Sequence, residues 1–197
     1  MIYLIRHGQS ESNLAGLLVG RSNPPLTDLG RTQAAALRPL LTGVVEVWTS
    51  PLQRARETAA VALPDVPATV HDAFIEVDYG SLDGTPLAAL TKDQWEEMEG
   101  DHERPFGGGE SLAEVDRRVH PVLESLRTDA TSLLHDPDRH LAIVSHVSPV
   151  KSALVWAMGV HGSAAWRMRI ENASLSVIAG RRDHAAVVRV NTLPLSP

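Results

Sequence analysis

The chain opens on MIYLIRHG, residues 1–8, where a short apolar, β-branched run leads directly into Arg6 and His7. Such a run reads as a buried strand, and an arginine and a histidine held at its tip are not what a core strand needs for packing. The same pattern recurs twice. VVEVWTS (44–50) is a second strand that ends in Thr49-Ser50 and leads into PLQRARETAAVAL (51–63), a predicted helix with Pro51 at its first position. HLAIVSH (140–146) is a third strand, ending in Ser145-His146 and followed by Val147, Ser148 and the helix PVKSALVWAMG (149–159). Between them, TDLGRTQAAALRPLL (27–41) reads as a helix capped by Thr27, and ASLSVIAG (173–180) and AAVVRV (185–190) read as the last strands. Strands alternating with helices predict a three-layer α/β/α sandwich with a mostly parallel central sheet.

Composition narrows the function. The chain has 197 residues, 43% of them apolar, a length that fits one domain over 1–197. The net charge is -6 with no basic stripe, which argues against nucleic acid or an anionic membrane as partner. There is no cysteine, so disulfide and thiol chemistry are excluded. His and Asp in HDPDRH (135–140) read as a turn rather than a metal site, and no metal or cofactor is expected. No basic-then-apolar leader opens the sequence, and no apolar run approaches the ~18 residues of a membrane span, so a cytoplasmic protein is expected.

Residues 72–109 look irregular apart from an acidic helical piece, TKDQWEEME (91–99), and residues 78–110 are the expected cap or insert over the site. Trp95 is expected beneath that acidic face or at the mouth of a pocket. Ser111 and Glu114 have capping-box spacing before a helix whose stripe is Leu112, Val115, Val119, Leu123 and Leu126. Pro121 inside it should cost roughly 3 kcal/mol or force a kink.

In open α/β sheets ligands bind beyond the carboxyl ends of the strands. Parallel pairing would therefore bring Arg6-His7, Ser50 with Arg54, and His146 to one edge. Ser50-Pro51 and Ser148-Pro149 each read as a cap and a first helical residue, aiming free N–H groups at that edge. Two arginines, two histidines and two helix starts suit a compact dianion such as a phosphoryl group. Guanidinium groups bind its oxygens in pairs.

The order of these blocks resembles the histidine phosphatase superfamily, the phosphoglycerate-mutase-like enzymes, from Met1 to about Ala179. RHGQSESN (6–13), LTDLGRTQA (26–34), TSPLQRARETA (49–59), FIEVDYGSLDG (74–84), FGGGES (106–111) and VSHVSPVKSAL (144–154) are similar to its six ordered motifs. The resemblance implies a phosphohistidine intermediate on His7. A neutral imidazole can attack phosphorus through one nitrogen when a carbonyl holds the other nitrogen's proton. Arg6, Arg54 and His146 would clamp the non-bridging oxygens and Asn13 would donate a further hydrogen bond. Glu76 would protonate the leaving oxygen and then activate water, with Asp78 and Asp83 as lesser alternatives. Gly20 and Arg21 fall where the resemblance places a substrate-contacting loop, Val147 beside His146 is expected among the phosphate-contacting positions, and Gly8 is expected to let the chain turn close to the phosphate.

Two departures stand out: Val147 replaces the glycine after the second histidine, and Val19 replaces a Ser or Thr of the mutase branch. A valine after His146 requires a turn without positive φ. Together with the short stretch between Glu76 and Gly107, Val19 favours hydrolysis. The expected function is a phosphomonoesterase for a small phosphorylated metabolite, on the phosphatase branch beside broad-specificity acid phosphatases and α-ribazole phosphatases. The alternatives are a phosphoglycerate-type mutase and an inactive phospho-ligand-binding module. The last strands offer a surface for a homodimer.

Overall fold

Apolar residues run without interruption through Ile2–Ile5 and Leu141–Val144, so the sheet they form is covered on both faces. In the computed structural model, which describes residues 1–181 and 184–194, six strands form one sheet. They are β1 (Ile2–Arg6), β2 (Val44–Thr49), β3 (Ala68–Val70), β4 (His140–Ser145), β5 (Leu175–Gly180) and β6 (Ala185–Thr192), in the order β3-β2-β4-β1-β5-β6. β1, β2, β3 and β4 run parallel. β5 is antiparallel to β1, and β6 is antiparallel to β5. Every residue of β4 is buried, as expected for a strand paired on both edges and covered on both faces. The short edge strand β3 follows Pro67 and pairs only with Val47–Thr49. Three exposed residues carry no periodic signal, so the sequence reading has no strand there.

Ile2, Leu4, Leu141, Ile143 and Ile178 face one way. They pack against α5 (Leu112–Thr128) and α6 (Val147–Met158) through Val115, Val119, Leu123, Val150 and Leu154. Tyr3, Ile5, Val47, Ala142 and Val144 face the other way. There they meet α2 (Asp28–Ala36) and α3 (Gln53–Ala62) through Leu37, Ala55 and Ala59. The result is the three-layer sandwich expected from the pattern. The short helix α1 (Glu11–Leu14) follows the β1 tip, and α4 (Lys92–Gly100) is the acidic helix, boxed by Thr91 and Gln94.

Helix starts differ from expectation in two places. The α3 cap is Leu52 in extended conformation, and Pro51 lies in the turn before it. The Leu52 amide donates to Ser50 Oγ at 3.2 Å, which ties the turn back on itself. The α6 cap is His146, so Val147 is the first helical residue and Pro149 the third. Proline is harmless there, because the first-turn amides have no intrahelical acceptor. Val147 carries no positive φ, in keeping with its side chain. Ser111 and Glu114 form the anticipated capping box, and α5 runs through Pro121 without interruption.

Candidate active site

Parallel register brings the strand tips together. Arg6 lies opposite Ser145, the His7 amide donates to the Ser145 carbonyl at 2.9 Å, and the Ser50 amide donates to Val144 at 3.0 Å. The His7 and His146 rings follow, centroids 5.0 Å apart and inclined at 60°. Both are buried, His7 at 4% exposure and His146 at 0%.

His7 Nδ1 lies 2.7 Å from the Gly8 carbonyl, which can only accept, so Nδ1 carries the proton. Nε2 keeps its lone pair and accepts from Arg54 Nε at 3.2 Å. Burial, then the Arg54 and Arg6 charges, hold the imidazole well below its ordinary pKa despite the Gly8 hydrogen bond. His7 is thus neutral, with Nε2 unprotonated and bonded to Arg54. His146 Nε2 meets Ser50 Oγ at 2.7 Å. Burial, and after it Arg54, His7 and Arg6, hold this ring well below the usual value too.

Arg54 is 1% exposed. Its Nη1 donates to Ser22 O and its Nη2 to Gly20 O, both at 2.7 Å. Desolvation lowers its pKa to about 10, with Glu76 acting in the opposite direction, so it remains cationic. Thr58 Oγ1 donates to the Arg54 carbonyl at 2.7 Å and accepts from the Gly8 amide at 3.0 Å, joining α3 to the turn after β1. Arg6 Nη1 donates to Ile170 O at 2.6 Å. Two buried nitrogens at this edge, Arg6 Nε and His146 Nδ1, have no hydrogen-bond partner among the described residues. A donor left so costs about 1–3 kcal/mol, which makes an acceptor in the crevice favourable.

Glu76 is buried at 4% exposure. It accepts from the amides of Val77 at 2.8 Å, Val147 at 3.1 Å and Ser148 at 3.2 Å. A carboxylate therefore occupies the α6 N-terminus that the sequence reading left open to ligand. The first α3 amide, Gln53, is similarly taken by Asn23 Oδ1 at 2.6 Å. Protein groups answer the leading amides of both helices, and the positive character of the crevice comes from Arg6 and Arg54. Asp78 and Asp83 are engaged elsewhere: Asp78 accepts from Gly80, and Asp83 accepts from the Gly20 and Ser22 amides at 3.1 and 2.8 Å.

Asn13 sits in α1 with its Oδ1 accepting from Ser10 N, Ser10 Oγ and Asn172 Nδ2, each at 3.0–3.1 Å. Arg21 lies at the rim, 3.4 Å from Glu110 and 3.9 Å from Asp78. Among the described residues it makes no bond to the two histidines or to the other two arginines. Gly20 holds Arg54 through its carbonyl, and Val147 holds Glu76 through its amide. Gly8 has a packing reason of its own: a Cβ there would lie 2.3 Å from the Gly30 carbonyl, and one on Gly30 would lie 2.0 Å from Gln9 O. Backbone packs on backbone between α2 and the β1 tip, and neither glycine can be replaced without moving one of them.

Asn172 escaped the sequence reading. Its amide bridges the His7 carbonyl at 3.2 Å and Asn13, yet no motif surrounds it. Thr58 had a signal, lying inside TSPLQRARETA. Two of the unassigned histidines find a common partner in Asp116, with His102 Nε2 at 2.8 Å and His120 Nε2 at 3.3 Å.

At the tips of its central strands this α/β sheet holds two buried histidines, a buried Arg54 and a partly buried Arg6, a set whose chemistry suits a small anion. The sequence pattern of the histidine phosphatase superfamily (branch 1) matches residues 2–193, and the chain belongs to that family. It is 29% identical to phosphoserine phosphatase 1 of Hydrogenobacter thermophilus, over 96% of this chain and 91% of that protein. It is 32% identical to a probable phosphoglycerate mutase of Yersinia pestis, over 89% of this chain and 82% of that protein. Its fold is shared with a mycobacterial glucosyl-3-phosphoglycerate phosphatase in complex with VO3, at TM-score 0.87 and 23% identity, covering 97% of this chain and 98% of that one. No helix among the described residues is long and apolar enough to cross a membrane.

Proposed function

We propose that the chain is a phosphomonoesterase that hydrolyses a small phosphorylated metabolite through a phosphohistidine on His7. The observation that carries this reading is the state of His7: neutral, proton fixed on Nδ1 by Gly8, lone pair on Nε2. Nε2 attacks phosphorus and the bond to the leaving oxygen breaks, its electron pair going to that oxygen. Glu76 supplies the proton, then as carboxylate takes one from the water that attacks the phosphohistidine, which releases inorganic phosphate and restores His7. Arg6, Arg54 and His146 hold the non-bridging oxygens as charge gathers there, and the Asn13 amide adds a neutral donor. Gly20 and Val147 are positioning residues acting through Arg54 and Glu76, and Arg21 meets the substrate at the rim. Residues 78–110 serve as the cap. The family resemblance and the relative named phosphoserine phosphatase support hydrolysis. We place the enzyme in the cytoplasm as one domain over 1–197, and the homodimer at the β6 edge, where Val188 and Val190 are exposed.

Rapid acid-free quenching of the enzyme with a phosphomonoester should trap an acid-labile phosphohistidine. His7→Ala should remove both the label and phosphate release while leaving the thermal transition in place. Residual turnover near wild type would take the nucleophile role from His7. Incubation with 3-phosphoglycerate and 2,3-bisphosphoglycerate separates hydrolysis from transfer: fast isomerisation with little free phosphate would establish a mutase instead.

A further inference from the structure

A cavity of about 180 Å³ lies where the segment around Tyr79 and Phe106 packs against the first turns of α6 and the short helix Gly162–Arg167. Four of the chain's eight aromatic side chains, Tyr79, Trp95, Phe106 and Trp166, line it. Val147 and Ser148 form one wall, and these are the residues whose amides hold Glu76. The cavity therefore adjoins the two residues that hold the proposed acid. It is smaller than the ~300–1,000 Å³ of sites for drug-sized ligands, which limits it to a compact group.

Besides the hydroxyls of Tyr79 and Ser148, two polar groups interrupt the apolar walls. Lys151 lines the cavity, with Nζ 5.8 Å from the Trp166 ring centroid. Among the described residues no carboxylate stands within ion-pair distance of it. Trp166 Nε1 is buried and has no hydrogen-bond partner among the described residues. A cation on a cation–π contact and an unused buried N–H, both on side chains that line the hollow, are complementary to an anionic acceptor on an apolar body.

We propose that this cavity is the leaving-group subsite and that it selects phosphomonoesters whose leaving group carries a carboxylate on a compact apolar or aromatic body, read by Lys151 and Trp166. This rests on the phosphomonoesterase reading and names its substrate class. Lys151 is the specificity residue, and the aromatic walls exclude water and bulkier groups.

Calorimetric titration with 4-phosphonobenzoate and phenylphosphonate, neither of which can be hydrolysed, reads the subsite apart from turnover. The wild type should bind the carboxylate probe at least ~10-fold more tightly, the scale of one charge-assisted hydrogen bond. Lys151→Met should bring that ratio close to one and Lys151→Arg should keep it. Trp166→Phe, which retains the ring and removes the N–H, should reduce it several-fold and stands in if Lys151→Met does not fold. Equal affinities in the wild type, or a ratio untouched by both Lys151→Met and Trp166→Phe, overturn the subsite. The kcat/KM values for 4-carboxyphenyl and phenyl phosphate complete the test. Hydrolysis of both esters with equal binding of both probes sinks the subsite and leaves the phosphatase. A binding preference without hydrolysis of either ester supports the subsite and overturns the phosphatase.

Discussion

Glu76 is the residue whose surroundings say most about how the site divides its work. Its carboxylate collects three main-chain amides across the start of α6, so its position is set by the helix rather than by a flexible loop. Glutamine can accept from Val77 and Ser148 through its one oxygen, though its NH2 cannot accept from Val147, and it cannot give a proton to a departing alkoxide. Glu76→Gln should therefore lower kcat by about 10²–10⁴ for an alkyl phosphate. The first step, formation of the phosphohistidine, should slow far less for p-nitrophenyl phosphate, whose leaving group needs no protonation, while hydrolysis of the phosphohistidine slows alike for both. Equal losses in that first step on the two substrates would remove Glu76 from the acid role. His7, Arg6, Arg54, His146 and Glu76 were all legible as motif residues, because each follows an apolar strand or sits in a dense local pattern. The occupant of the α6 N-terminus was not legible: Ser148-Pro149 looks like a cap locally, and the carboxylate that fills the place comes from 71 residues upstream. Asn172 was hidden for the same reason, its partners lying 165 and 159 positions away.

At the scale of elements, periodicity was read well wherever a face is buried. The stripe of α5 fitted as written, with Val115, Val119 and Leu123 fully buried. Where nothing is buried, as in β3, no pattern existed to read. Pro121 tests the other half of the α5 reading. It is exposed and sits within a helix that continues unbroken, so its missing N–H and ring crowding are borne by the packed face. Pro121→Ala should raise stability by about 1–3 kcal/mol in urea unfolding, with no change in kcat. A loss of stability would mean that the proline shapes the packing of α5 on α6. The Asp116 pair of histidines lies on this same helix. Burial alone would push the Asp116 pKa up, but the hydrogen bonds from His120, Ser152 and His102 bring it below the usual value.

For the molecule as a whole, burying neutral histidines at a cationic site ties stability to pH. In the unfolded chain an imidazole titrates near 6.5. Native His7 and His146 take up protons only well below that, and His140 is lowered as well, by burial and the Met1 ammonium. Between pH 6.5 and the native values the unfolded state binds more protons, so stability is full above 6.5 and is lost as pH falls. The slope approaches ~1.4 kcal/mol per pH unit for each such histidine. Urea midpoints should therefore drop from pH 7.5 to 5.5, and His146→Asn should flatten that drop by about one histidine's share. An unchanged slope in the variant would mean that the native ring protonates near its ordinary value.

The place of β1 in the sheet bears on events in time. The first strand made is seated between β4 and β5, whose residues are synthesised more than a hundred positions later. At ~5–20 residues per second, β1 waits many seconds on the ribosome before either flanking strand can pair with it. Its strand is then an unpaired apolar edge, and long-range pairing of this kind folds slowly. The nascent chain passes through an interval in which its most apolar segment is exposed to association with other chains. Assembly of the reactive centre is accordingly among the last acts of folding, and it occurs only once the carboxyl-terminal third has emerged.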